Sequence, residues 1–197
     1  DEATLSMCRQ RYRDVLLPNQ MAPDGSFPRE LKRTKPYGYA LFNADAMATV
    51  CHILSTRGPN DQSLGAPSDN LWAYETPDGR SMRKAVEWIA PYIADKSKWP
   101  YKPDVMYYEF WPVRSPVLLF GGLAYDRPDW VETWKTLEAK ATNEEVLRML
   151  EEGVGSVAVC EPGWWVWLPN TNTLPLPLQV PLRSGMASCA GAAVAAA

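Results

Sequence analysis

The sequence is short of the groups that most often build metal and redox sites. It has one histidine, His52, and four cysteines, Cys8, Cys51, Cys160 and Cys189. No two of the cysteines form a CxxC pair, so neither a zinc site nor a disulfide framework is indicated. A single histidine excludes a His-rich metal centre, and no metal or other cofactor is expected. Positive charge is also short. The net charge of -3 argues against a general nucleic-acid binder, whose surface would carry an excess of Lys and Arg. The first 152 residues contain no run of 18 or more uncharged apolar residues, so no membrane span is read there. No signal peptide is legible either. The chain opens on Asp-Glu within a helical pattern, and the expectation is a fragment or a processed start. Alternating apolar and polar stretches long enough to build a sheet are missing too, which leaves helices.

Aromatic residues, by contrast, are plentiful, with nine Trp and nine Tyr among 197 residues. They serve either as core anchors or as flat platforms for sugar rings, and their number does not choose between the two. Ala3 to Leu17 has Leu5, Cys8, Tyr12, Val15 and Leu16 at three- and four-residue spacing, which predicts an amphipathic helix ended by Pro18. Residues 17–35 read as loop, punctuated by Pro18, Pro23, Asp24-Gly25 and Pro28. Pro36 suits the first turn of the next helix, where its missing N–H costs nothing. Tyr37 to Ser55 continues that helix and is apolar nearly all round, as in a helix buried among others.

Further on, residues 56–70 read as loop and 70–76 as a short extended piece. Ser81 caps a helix over Met82 to Ala94, kinked at Pro91. Residues 105–125 read as mostly helix, interrupted at Pro112 and Pro116. Asp129 to Glu138 and Asn143 to Glu152 are two more short helices. After Glu152 the character changes, because residues 153–197 hold only two charged side chains, Glu161 and Arg183. This stretch reads as an irregular or disordered tail, and its low polarity, unusual for disorder, favours a lost reading frame. The expected architecture is therefore all-α, with helical hairpins and long loops over 1–152 and a tail over 153–197.

Chemistry is expected where the loop meets the buried helix. Arg29, Lys32, Arg33 and Lys35 crowd into seven residues, with Glu30 the acid among them. Such a run is either a solvated surface loop or a place where guanidinium pairs with a carboxylate, from Glu30 or from a substrate. Tyr39 stands in the first turn of the helix. A neighbouring cation and a helix N-terminus both favour the phenolate that a basic tyrosine needs. Asn43 lies one turn further on the same face, placed to donate to a carboxylate or to orient the phenol. His52 is thirteen residues beyond Tyr39, or about 20 Å along the axis, so it reads as a core histidine.

The run PDGSFPRELKRTKPYGYALFNADAMATVCHILS resembles a segment of alginate lyase-type polysaccharide lyases that runs, loosely, DG..P.EL.RT...Y..FNL.A. The later run LWAYETPDGRSMRKAVEWIAPYI is similar to the family's W-Y…DGR…A…PY segment. The resemblance covers about residues 5–139. It implies the C-terminal part of an all-α (α/α) toroid. It also implies β-elimination on a uronic-acid polysaccharide, in which a tyrosine serves as base, acid or both and an arginine supports it. The tyrosine maps to Tyr39, with Tyr37 as the alternative, and the arginine to Arg33. The family's Asn-His pair has no counterpart in this chain. Asn43, Lys35, Trp72, Tyr74 and Arg80 are the expected substrate-binding residues, with Tyr107, Tyr108 and Trp111 as further subsite candidates. Arg80 has a plainer reading as the partner of Asp78 or Glu75. The resemblance implies an acidic polysaccharide as partner, no nucleic acid or membrane, and a secreted or periplasmic location. Oligomeric state and the identity of the uronic acid stay open. Two other classes fit the same features. One is a toroid glycoside hydrolase, which needs two carboxylates about the scissile bond, for which Asp78 and Glu109 are the candidates. The other is a non-catalytic or truncated carbohydrate-binding relic.

Overall fold

The computed structural model of the chain describes residues 1–58, 61–65, 69–114, 116–139, 142–144 and 146–147. The expected tail over 153–197, and most of the helix expected from Asn143, lie outside these residues. Among the described residues the fold is helical. Helix α1 (Glu2–Arg11) continues without a break through a π-helical turn, Tyr12–Leu16, into the short α2 (Leu17–Gln20). Pro18 does not end this helix as expected. It occupies the first turn of α2, a position where its missing N–H matters little. The π-turn instead absorbs the change of register.

The loop that follows is more ordered than its prolines imply. Asp24 accepts from both the backbone N–H and the hydroxyl of Ser26, at 2.9 and 2.6 Å. Gly25 sits at φ +87° against the Lys84 backbone, and a Cβ there would lie 2.1 Å from the Lys84 carbonyl oxygen. Only glycine satisfies both conditions. A single helical turn, α3 (Pro28–Leu31), then precedes α4 (Pro36–Ser55).

Helix α4 is the axis of the molecule. Fourteen of its residues are buried, matching the nearly uniform apolar sequence. Tyr37, Leu41, Ala44, Ala48 and Cys51 pack with Tyr12, Leu17, Phe27, Met82, Val86, Ile89, Val117 and Leu118 in one core. Cys8 and Cys51 are both free thiols. After α4 the expected loop contains a small antiparallel hairpin, β1 (Thr56–Gly58) with β2 (Asp61–Leu64), paired Thr56 to Leu64 and Gly58 to Asp61. Its shortness, with no alternation to signal it, hid it from sequence reading. The stretch expected to be extended forms a 3-10 turn, Leu71–Ala73, held where Asn70 accepts from the Trp72 N–H.

Helix α5 (Met82–Ala94) is capped by Ser81 as expected and runs through Pro91. Residues 105–114 depart most from expectation. They form an irregular segment with one 3-10 turn, Tyr108–Phe110, and a cis peptide bond at Trp111-Pro112. Helix begins only at Pro116, with α6 (Pro116–Ala124), followed by α7 (Pro128–Thr136).

Candidate active site

The start of α4 is where charged loop, aromatic rings and buried helix meet. Its peptide N–H groups point out of the helix end and need acceptors. Lys35, at the capping position, offers none through its side chain. The acceptor comes from Asp104, 67 residues away. Its carboxylate oxygens take the Tyr37 and Gly38 N–H groups, each at 2.8 Å. Gly38 makes this approach possible, because a Cβ there would lie 2.9 Å from both Asp104 Oδ2 and Trp111 Nε1. The adjoining backbone is tied down by the Val105 N–H donating to the Thr34 carbonyl at 3.2 Å.

Asp104 is buried, and burial pushes its carboxyl above the usual range against the opposing effect of the two N–H bonds and the Lys35 and Lys96 charges. Lys96 donates to the carbonyls of Tyr108 and Trp111 at 2.9 and 2.7 Å and so fixes the irregular segment that carries Asp104's neighbours. Beneath the helix start lies an aromatic cluster. Tyr37 meets Trp99 and Tyr108 edge-on at 5.0 and 5.5 Å, and Trp99 meets Trp88 and Tyr92 at 5.9 and 5.3 Å. Edge-to-face contacts of this kind add to area burial in fixing ring positions.

On this base Tyr39 is half-buried in the first turn. The Arg33 guanidinium lies over its ring, with Cζ 3.5 Å from the ring centre, a close cation–π stack. Arg33 is half-exposed and also pairs with Glu30 at 3.2 Å. The Lys35 ammonium stands 5.6 Å from the Tyr39 ring and 4.9 Å from that of Tyr107. Tyr107 is a non-glycine residue held at φ +65°, a conformation that persists only where the surroundings hold it. The structure thus brings Arg33, Lys35 and Tyr39 together, and adds Tyr107.

The remaining candidates lie in other settings. Tyr37, the alternative tyrosine, is fully buried, donates to the Tyr92 carbonyl at 2.9 Å, and has its proton held more tightly by burial. Asn43 donates to the Gln20 side chain at 3.3 Å. Arg80 donates through Nε to the Met21 carbonyl at 2.7 Å and pairs with Asp78, so it ties the 76–80 turn to the loop after α2. Trp72 and Tyr74 belong to the far end of α4, where the Leu71 N–H donates to the Ser55 hydroxyl at 2.9 Å. Trp72 is 2% exposed, and Trp111 is also buried. His52 is buried and stacked on Phe120 at 4.2 Å between ring centres. Of the hydrolase carboxylates, Asp78 is held by Thr76 and Arg80, while Glu109 is exposed.

Asp104 and Lys96 were missed by sequence reading. Neither belongs to a local motif, and a cap supplied from 67 residues away leaves no local signal. The helix end expected to favour a phenolate at Tyr39 already carries an anion. The positive charge near that ring therefore comes from Arg33 and Lys35. No group of three or more His, Cys, Asp or Glu residues placed to hold a metal ion occurs among the described residues.

Buried aromatic helices and a cation-stacked tyrosine at a helix start describe an all-α chain with charged groups gathered at the start of α4. The same fold occurs in the crystal structure of an alginate lyase from Bacteroides ovatus. That structure superposes with a TM-score of 0.51 at 24% identity, over 72% of this chain and 35% of that one. The present chain thus spans about a third of that protein's length. No curated protein matches the sequence. The family model for alginate lyase matches residues 1–99, half of the chain, and the chain belongs to the alginate lyase family.

Proposed function

We propose that this chain carries the tyrosine half of a β-elimination centre in a polysaccharide lyase acting on a uronic-acid-containing, alginate-like polymer. The observation that supports it most directly is the Arg33 guanidinium stacked 3.5 Å over the Tyr39 ring at the start of a buried helix. In the reaction the C5–H bond of a uronate unit breaks, its electrons form the C4–C5 double bond, and the C4–O bond to the next sugar breaks. The departing oxygen takes a proton. Tyr39 removes the C5 proton, supplies the leaving-group proton, or does both in turn. Removal of that proton develops negative charge on the adjoining carboxylate, which fixed cations stabilise. Arg33 and Lys35 are the cations in reach of the tyrosine. Tyr107, whose ring is 4.9 Å from the Lys35 ammonium, supplies a ring for the neighbouring sugar, and Asn43 a polar contact one turn along. A secreted or periplasmic location goes with this reading, because a polymer is degraded where it is met.

A second reading, binding without turnover, has one observation in its favour. The chain's single histidine is buried against Phe120, so no Asn-His pair stands beside Tyr39 among the described residues. One experiment separates the two. The intact protein is incubated with alginate and the ultraviolet absorbance of the unsaturated uronide is followed. Tyr39→Phe is expected to remove turnover while leaving polymer affinity within about twofold. Near-normal turnover in that variant would dispose of the assigned role. Affinity without turnover in the unmodified protein would establish the second reading.

A further inference from the structure

A second polar recess lies at the opposite end of α4. Tyr39 and Ser55 are 16 residues apart, so this end is about 24 Å from the tyrosine at 1.5 Å per residue. The recess has a cavity volume of about 320 Å³ and opens to solvent. Small-molecule sites fall within about 300–1,000 Å³. Asn70, Tyr74, Glu75, Arg83 and Tyr125 line it, over a floor formed by Trp72.

The walls are built rather than incidental. The Tyr125 hydroxyl donates to the Trp72 carbonyl at 2.8 Å, and its ring meets the Trp72 ring edge-on at 5.6 Å. The Arg83 guanidinium lies over the same tyrosine ring at 4.1 Å. Arg83 is exposed and pairs with no carboxylate among the described residues. Across the recess the half-buried Tyr74 has Arg13 over its ring at 5.5 Å. Two guanidinium–tyrosine stacks therefore stand beside one opening, and both rings are tied to the same buried tryptophan segment. Glu75 is the acid on the lining, and Glu87 lies one turn from Arg83 on α5.

This combination has a chemical meaning. A half-exposed aromatic ring covers the apolar face of a pyranose. A guanidinium stacked on an aromatic is held in one orientation and presents its donor edge to a carboxylate. Glu75 and Asn70 offer acceptors for sugar hydroxyls. We infer that this recess is a second saccharide-binding site, separate from the Arg33–Tyr39 centre, that takes one unit of an acidic oligosaccharide with its carboxylate on Arg83. The site holds a chain at a point remote from the chemistry and increases the time a polymer spends on the protein. The inference stands on the recess itself and does not depend on Tyr39 acting as a base.

The test is titration of the ¹⁵N-labelled protein with a uronate tetrasaccharide and with a neutral cello-tetraose, followed by NMR. The Trp72 indole resonance is assigned with Trp72→Phe. The acidic probe is expected to shift that resonance, Arg83→Gln to weaken the associated affinity about tenfold, and Tyr39→Phe to leave it unchanged. Arg83 is exposed, so its replacement leaves the fold in place, which circular dichroism verifies. Equal shifts by both probes would overturn the assignment of an acidic ligand. Shifts insensitive to Arg83→Gln, shifts lost in Tyr39→Phe, or no shift at all would each overturn the site. Loss of turnover in Tyr39→Phe with the Trp72 shift retained would leave both readings standing, and the converse would remove both.

Discussion

Asp104→Ala is the perturbation that most sharply tests how the start of α4 is held. The carboxylate accepts two N–H groups, from Tyr37 and Gly38, both at 2.8 Å and both in buried surroundings. Alanine leaves two donors without partners at a helix end. Orphaning a buried donor costs about 1–3 kcal/mol, and loss of a helix cap about 0.5–2 kcal/mol. Part of this is offset, because burial of Asp104 is itself unfavourable, as the upward shift of its carboxyl shows. The net expectation is a loss of about 2–4 kcal/mol. For a domain of this size each kcal/mol lowers Tm by roughly 2–4 °C. Thermal unfolding followed by circular dichroism should therefore show a fall of about 4–16 °C. Asp104→Asn keeps one acceptor and sets an NH₂ group against the second N–H, so its effect should fall between wild type and alanine. A fall below about 2 °C for alanine would refute the claim that this carboxylate caps the helix.

The pH dependence of the same variants separates the two opposing forces. A carboxyl whose folded pKa is raised binds its proton more tightly in the native state. Its contribution to stability is full below the ordinary carboxylate range and is lost as pH rises through the raised value. Burial raises Asp104 despite the two N–H bonds and the Lys35 and Lys96 fields. The stability gap between wild type and Asp104→Asn should therefore be widest in acid and narrow toward neutral pH. A gap that widens as pH rises would show that the N–H bonds outweigh burial.

Other outcomes follow from equally local geometry. Gly25→Ala combines φ +87° with a Cβ 2.1 Å from the Lys84 carbonyl oxygen, and should cost more than about 2 kcal/mol in a urea unfolding curve. Tyr37→Phe removes only the hydroxyl bond to the Tyr92 carbonyl. It should cost about 1 kcal/mol and leave turnover unchanged, in contrast to Tyr39→Phe. Lys96→Met removes the donor shared by the Tyr108 and Trp111 carbonyls and should raise proteolytic nicking within residues 105–111, read by mass spectrometry.

The helices legible in the sequence were those whose own residues carry the signal. Pro36 and the uniform apolar run gave α4, and Ser81 with its one-sided stripe gave α5. Where helicity depends on partners elsewhere, the sequence misleads. Pro18 looks like a stop but lies at a helical N-terminal position after a π-turn. Residues 105–114 look helical from their apolar content, yet they are irregular, and Lys96 engages the Tyr108 and Trp111 carbonyls that a helix would use internally. The aromatics divide along the same line. Trp99, Trp111, Trp130 and Trp134 are buried, and only position relative to α4 distinguishes these from Tyr39, Tyr74 and Tyr107.

The electrostatics at the start of α4 also change how the proposed centre would handle a substrate carboxylate. A free helix N-terminus would attract that carboxylate through its own N–H groups. Here Asp104 already holds the Tyr37 and Gly38 donors, and Lys96 is directed to two carbonyls. A uronate arriving at the proposed centre would thereby be steered away from the helix end and toward Arg33 and Lys35, the cations beside the Tyr39 ring. Arg33 already shares Glu30, so binding exchanges one carboxylate partner for another rather than creating a new ion pair. That exchange is nearly balanced in energy, as exposed ion pairs contribute only about 0–1 kcal/mol. On the proposed function Arg33 would contribute to orientation more than to affinity. Arg33→Ala should lower turnover by a larger factor than it weakens polymer binding, whereas Lys35→Ala should weaken binding more than turnover. The reverse ordering, measured as kcat and KM in the intact protein, would show that Arg33 acts as the anchor and Lys35 as the orienting group.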